Sequence, residues 1–184
     1  MDKPRNFFKD TFHHLYNRGA FQQQIFFEKN DYEYFLRKLI EYKERYSIKI
    51  LSYCLMPNHF HLFVKQTLDD QTISKFISGL TNSYTKGINT KYKRTGVLFA
   101  GKTKSKQIED DSYFKWVFKY ILENPVKAKI VKRYGEYEFS SAKELVGFKE
   151  ETVTDVKTLL SYFDSTDSFK DFMSDEKQKS DYEI

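Results

Sequence analysis

Apolar and polar positions recur with two different periods along the chain, and each change of period marks an element. Phe12 to Phe21 (FHHLYNRGAF) combines aromatic and β-forming residues and runs into Gly19, which predicts a strand ending in a turn. Asn30-Asp31 supplies an N-cap, after which Phe35, Leu39, Tyr42 and Tyr46 repeat at spacings of four, three and four, one face of a helix reaching about Tyr46. Ile48 to Met56 (IKILSYCLM) is a β-rich run stopped by Pro57. Beyond Pro57-Asn58 the segment His59 to Lys65 alternates strictly. His59, His61, Phe63 and Lys65 fall on one face and Phe60, Leu62 and Val64 on the other, which predicts a hairpin. Ile73, Phe76, Ile77, Leu80 and Tyr84 then trace the apolar stripe of a helix over 71–88. Val97 to Ile108 predicts a strand with Lys102, Lys104 and Lys106 on one face. Asp110-Asp111-Ser112 opens a third helix, expected to stop at Asn124 because Pro125 disfavours α geometry in the residue before it.

The first six elements are βαββαβ, the order of a ferredoxin-like antiparallel sheet with helices on one face. The third helix is added to it. Beyond Ser140-Ser141 the chain turns acidic, with helices expected over 154–163 and near Phe169, and a disordered end. This divides the sequence into a body, 1–134, and an acidic, partly helical extension, 135–184.

Charge sharpens that division. Of 184 residues, 31 are Lys or Arg and 26 Asp or Glu, but residues 1–134 carry 25 basic against 13 acidic and residues 135–184 carry 6 against 13. A basic, aromatic-rich body is the footprint of a polyanion-binding protein, and a solvated lysine-rich surface gives the same count. No apolar run approaches the roughly 20 residues of a membrane span, and the charged start lacks a signal-peptide pattern, so a cytoplasmic protein without membrane contact is expected. One cysteine, Cys54, excludes an internal disulfide framework and a multi-cysteine zinc site; in an apolar strand it is read as core.

Two places carry candidate chemistry. His59 and His61, at i and i+2 of one strand, project from the same face roughly 6.5–7 Å apart at Cα and can converge on one divalent ion. The same spacing also describes an ordinary strand surface. Tyr120 and Asn124, at i and i+4, are neighbours on one helix face, where a tyrosine is equally at home as a packing residue.

Placed together, these motifs resemble a known family. Met56-Pro57-Asn58-His59-Phe60-His61-Leu62 is similar to the HUH signature of the single-tyrosine transposases, and Tyr120-Ile121-Leu122-Glu123-Asn124-Pro125-Val126-Lys127-Ala128 to the second signature of their REP-associated branch. His14-Leu15-Tyr16-Asn17-Arg18-Gly19, Phe26-Phe27, Phe35-Leu36 and Phe139-Ser140-Ser141 extend the resemblance over roughly residues 12–145, more loosely between Gly96 and Lys106. The resemblance implies cleavage and rejoining of single-stranded DNA near hairpin or palindromic sequences through a 5′-phosphotyrosine intermediate. Carried over, Tyr120 is the nucleophile. His59, His61 and Asn124 would hold a divalent cation, Mg²⁺ or Mn²⁺, which mixed imidazole and amide ligands suit. Tyr113, seven residues earlier, is a rival nucleophile without an asparagine at i+4, and His14 can sit beside the site.

Lys91, Lys93, Arg94, Lys102, Lys104 and Lys106 are candidate phosphate contacts, and Arg18 with nearby aromatics a candidate base contact. The acidic extension is read as solubilising. Relatives act as monomers or as domain-exchanged dimers, so a homodimer stays open. Two rivals remain: a domesticated, inactive palindrome-binding protein, and a replication- or plasmid-type nicking enzyme of the same chemistry.

Overall fold

In the computed structural model, residues 7–69, 72–145 and 153–174 are described. Four strands, β1 (Phe12–Arg18), β2 (Ile48–Met56), β3 (His59–Gln66) and β4 (Lys104–Ile108), form one sheet in the order β2-β3-β1-β4, every neighbouring pair antiparallel. Helices α1 (Lys29–Arg45) and α2 (Thr72–Lys91) connect them, and α3 (Asp111–Lys127) follows β4. This is the ferredoxin-like βαββαβ arrangement the periodicity predicts.

The two crossover helices share one face. Phe35 and Leu39 of α1 and Ile73, Phe76, Leu80 and Tyr84 of α2 pack with Leu15, Phe60, Leu62 and Val64 of the sheet into a first core. The other face is covered as well. Phe114, Val117, Phe118, Ile121 and Leu122 of α3 close over Leu51, Cys54, Met56 and Phe63, and Tyr137, Leu145, Leu159, Phe163 and Phe169 complete this second core. At roughly 1.5–3 kcal/mol per buried large apolar side chain, each core is substantial. Strand β2 serves both by alternation, and a bulge between Ile50 and Ser52 switches which of its residues face which core. Ile48 and Ile50 face the first core before it and Tyr53 and Leu55 after it, so the parity switches across Leu51.

Residues 139–141 lie along the outer edge of β2: Leu55 N–H donates to Phe139 O at 2.9 Å and Ser141 N–H to Tyr53 O at 3.0 Å. The pairing satisfies an edge that would otherwise be exposed. The buried Glu144 carboxylate ties the later chain down, accepting from Thr154 N–H at 2.9 Å and Thr154 Oγ1 at 2.7 Å. Short helices follow, α4 (Ala142–Leu145), α5 (Val156–Leu160) and α6 (Thr166–Ser174); residues 175–184, expected to be disordered, lie outside the described residues.

Three expectations are corrected. Helix α1 is capped by Glu28, which exchanges hydrogen bonds with Asp31 at N3, because Asn30 and Asp31 already lie in the first turn. Helix α3 passes Pro125 and ends at Lys127. Pro125 forfeits the N–H bond to Ile121 O, but it sits in the last turn, where little helix remains to disrupt, and Ala128 N–H still reaches Asn124 O at 2.9 Å. The strand expected over 97–108 is confined to Lys104–Ile108. Before it the chain pairs at the isolated Gly19–Phe99 bridge and then bends at Gly101, whose φ of +86° belongs to no strand. Lys102 therefore lies outside the strand.

One buried histidine makes the fold acid-sensitive. His13 of β1 is 2% exposed, edge-on to Phe7, with Nε2 2.9 Å from Thr11 Oγ1. Burial pushes its pKa from the ordinary 6.5 down to about 4. Above pH 6.5 both folded and unfolded chains carry it neutral; below that the unfolded chain takes a proton that the folded one refuses. Its contribution is therefore lost as pH falls from 6.5 towards 4, about 2 kcal/mol by pH 5. His13→Gln should shrink the drop in unfolding free energy between pH 7.5 and 5 by about that amount. An unchanged drop in denaturant titrations would refute it.

Candidate active site

The turn joining β2 to β3 is pinned from outside. Gly19 N–H donates to Asn58 O at 2.8 Å, and Ile25 and Phe26 N–H both donate to Pro57 O, at 2.8 and 3.1 Å. His59 and His61 follow on β3, on the face covered by α3, with ring centroids 5.1 Å apart. Opposite them on β1, His14 and Tyr16 project to the same face. His14 Nε2 lies 2.8 Å from His61 Nδ1, and the Tyr16 ring stacks on His14 at 4.9 Å.

Helix α3 brings the phenol. The Tyr120 ring stands edge-on to His61, centroids 5.6 Å apart at 89°, and 6.2 Å from His14. Trp116, one turn earlier, stacks on Tyr120 at 5.1 Å, and Lys127 Nζ lies 4.8 Å from its centroid. Asn124 bonds its own helix, Nδ2 donating to Tyr120 O at 2.8 Å, and its amide acts electrostatically on both the His59 imidazole and the Tyr120 phenol. The structure thus brings together Tyr120, His59, His61 and Asn124. Tyr113 is 5% exposed and stacks on Trp116 at 5.6 Å, with Lys106 Nζ 4.6 Å from its centroid.

Burial sets the protonation states. It depresses His61 well below 6.5, helped by His14 and His59 as neighbours; it lowers His59, with Asn124 opposing; and it takes His14 down to about 3, with Lys106 adding. All three rings are neutral at pH 7. Burial also raises Tyr120, with Asn124 opposing. The imidazoles suit a cation: His59 Nδ1 lies 2.7 Å from Asn58 Oδ1, an acceptor, so Nδ1 carries the proton and Nε2 a lone pair. His61 Nδ1 faces His14 Nε2 at 2.8 Å, and the tautomer in which Nδ1 donates to His14 leaves the His61 Nε2 lone pair for a cation. Among the described residues no three His, Cys, Asp or Glu side chains gather as a metal-binding group.

The family profile described as "Transposase IS200 like" matches residues 9–124, a span holding both histidines, Tyr120 and Asn124. The chain belongs to the IS200-like transposase family. Among solved structures, a REP-associated tyrosine transposase bound to a REP hairpin is similar with a TM-score of 0.68 and 19% identity, over 84% of this chain and 94% of that one. A putative transposase from Deinococcus radiodurans aligns with a TM-score of 0.46 and 14% identity, over 63% and 92%. Comparison with curated proteins finds no match.

In this IS200-like transposase an open cleft of about 450 Å³ adjoins the histidines, lined also by Asn17, Arg18, Gln22, Asn58, Lys102 and Lys104. Of the predicted cations, Arg18, Lys102 and Lys104 therefore lie at the site, and Lys106 reaches Tyr113 beside it. The structure does not bring Lys91 there: its ammonium sits between Glu28 and Asp31, 2.6 Å from the latter. Arg94 bonds Gln23 Oε1 at 2.6 Å and lies over Phe27, while Lys93 is exposed at the end of α2. No helix among the described residues is long and apolar enough to cross a membrane.

Trp116, Lys127 and Tyr16 were not singled out from the sequence, although i−4 and i+7 from Tyr120 and i+2 from His14 are spacings that place them on the site's faces. Gly19 directly follows Arg18, which lines the cleft. Its φ of −61° is ordinary, but a Cβ there would stand 2.0 Å from Gln23 O. Gly19→Ala should cost about 2 kcal/mol or more by displacing backbone, measured by denaturant unfolding; a neutral result would show that the turn yields.

Proposed function

We propose that this transposase cuts and rejoins single-stranded DNA beside hairpin sequences, with Tyr120 as nucleophile and a divalent cation, Mg²⁺ or Mn²⁺, held by His59, His61 and Asn124. The observation that carries the reading is the Tyr120 ring edge-on to His61 at 5.6 Å within one chain. The REP hairpin in the solved REP-associated transposase supports hairpin DNA as the substrate class.

Tyr120 Oη attacks the phosphorus of a phosphodiester. A P–O bond to the tyrosine forms, the bond to the 3′-oxygen breaks, and that oxygen leaves as a hydroxyl. The phosphotyrosine keeps the ester's energy, so a different 3′-hydroxyl can attack it, rejoin the strand and return the phenol without ATP. A bound divalent cation neutralises the non-bridging oxygens and offsets the repulsion that a phosphodiester presents to an incoming anion. The chain's own groups do the positioning. Trp116 fixes the phenol by stacking, Asn124 stands one turn from it with its amide tied to Tyr120 O, and His14 orients the His61 ring. Arg18, Lys102 and Lys104 hold the flanking phosphates.

Incubating the protein with labelled hairpin-tailed single strands and Mn²⁺ should yield a covalent adduct on a denaturing gel. Binding without an adduct across many flanking sequences would instead support a palindrome-binding protein that does not cut.

A further inference from the structure

We propose that Phe21 is a stacking platform for an unpaired base of the DNA strand lying in the cleft beside His59 and His61. The inference rests on the function proposed above and names a recognition element of that same site.

Phe21 is 99% exposed, the most exposed large apolar side chain among the described residues. Its ring packs against no other ring or cation there. The turn that presents it is strained: Phe21 has φ 54° and Gln22 φ 61°, two consecutive non-glycine residues in the left-handed region. A surface turn free to relax would not hold this conformation, but the flanking chain is fastened. Ala20 N–H donates to Leu98 O at 2.9 Å, Gln23 N–H to Ala20 O at 3.0 Å, and Gln23 Nε2 to Leu98 O at 3.0 Å. Strain with so many supports, spent on showing a phenyl ring to water, is the pattern of a ligand contact.

The neighbourhood identifies the ligand. Gln22, the next residue, lines the cleft that also contains His59, His61, Arg18, Lys102 and Lys104. Cations to follow a phosphate chain, and an isolated ring one residue from the cleft's lining, are the two parts of single-strand recognition, since every base offers a π-face. A protein partner would need about 800 Å² of surface on each side, whereas among the described residues the one other highly exposed apolar side chain tied to this turn is Val97, whose carbonyl accepts from Gln23 Nε2.

The test compares the full chain's affinity for a hairpin carrying a single-stranded tail with its affinity for the same hairpin cut blunt, with the tail scanned by single abasic substitutions. Phe21→Ala should weaken tailed DNA roughly tenfold and leave blunt DNA unchanged. Phe21→Trp should restore the tail's contribution. One abasic position should reproduce the loss in the wild-type chain and add nothing in Phe21→Ala. Phe21→Gly, which suits the left-handed backbone, should bind like Phe21→Ala while keeping the fold. Equal weakening of both DNAs, or none, would overturn the inference. If the wild-type chain does not distinguish tailed from blunt DNA, the proposed function fails with it; if it does and Phe21→Ala behaves as wild type, only the stacking role fails.

Discussion

Tyr120→Phe should abolish the covalent DNA adduct, by at least ~10³-fold in rate, while leaving the fold and DNA binding in place. The substitution removes one oxygen. The phenylalanine ring keeps the stack on Trp116 and the edge contact with His61, and Asn124 stays anchored to Tyr120 O by Nδ2. The stability change should stay near 1 kcal/mol. Tyr113→Phe should still form the adduct, because Tyr113 stacks beyond Trp116, away from the imidazoles. Denaturing electrophoresis of labelled DNA after incubation reads both variants. An adduct surviving in Tyr120→Phe and lost in Tyr113→Phe would move the nucleophile.

The second large effect concerns the cation. His59→Ala should weaken Mn²⁺ binding by roughly 10²-fold or more and cut cleavage in proportion at limiting metal, with recovery as Mn²⁺ is raised. The half-buried His59 is the better probe of the two histidines, since its removal opens no closed cavity. His61→Ala would also leave His14 Nε2 buried without its partner, and so would cost an additional ~1–3 kcal/mol of stability. Calorimetric titration of the DNA-free protein with Mn²⁺ separates ligation from catalysis. Unchanged Mn²⁺ affinity in His59→Ala would make the ring a packing residue and remove the cation from the site.

Much of the fold was legible because the chain obeys single-face periodicity where it builds the first core. The 3.6-residue stripes of α1 and α2 and the strict alternation of β3 all point their apolar sets at one another. The second core was harder to foresee. IKILSYCLM has no alternation to read, because β2 is buried on both sides and its bulge swaps the parity midway. The lysines at 102, 104 and 106 imitate a strand face, but only the last two belong to one; the apolar Leu98 and Phe99 are buried through a loop rather than a sheet. The histidine pair was visible as a hairpin with a fixed turn. Its link to Tyr120 came from a resemblance, since periodicity alone does not say on which face α3 will dock. Lys91 shows the limit of counting charges: an exposed-looking cation on a basic segment is committed to two carboxylates.

The placement of the histidines has a consequence for how such a protein diversifies. They stand on β3, flanked by β2 on one side and β1 on the other, whereas Lys102 and Gln22 reach the cleft from irregular segments outside the sheet. Interior strands tolerate few changes; connecting segments tolerate many. On the proposed function, a lineage built this way can drift to new target sequences by rewriting its loops while the histidine-bearing strand is inherited intact.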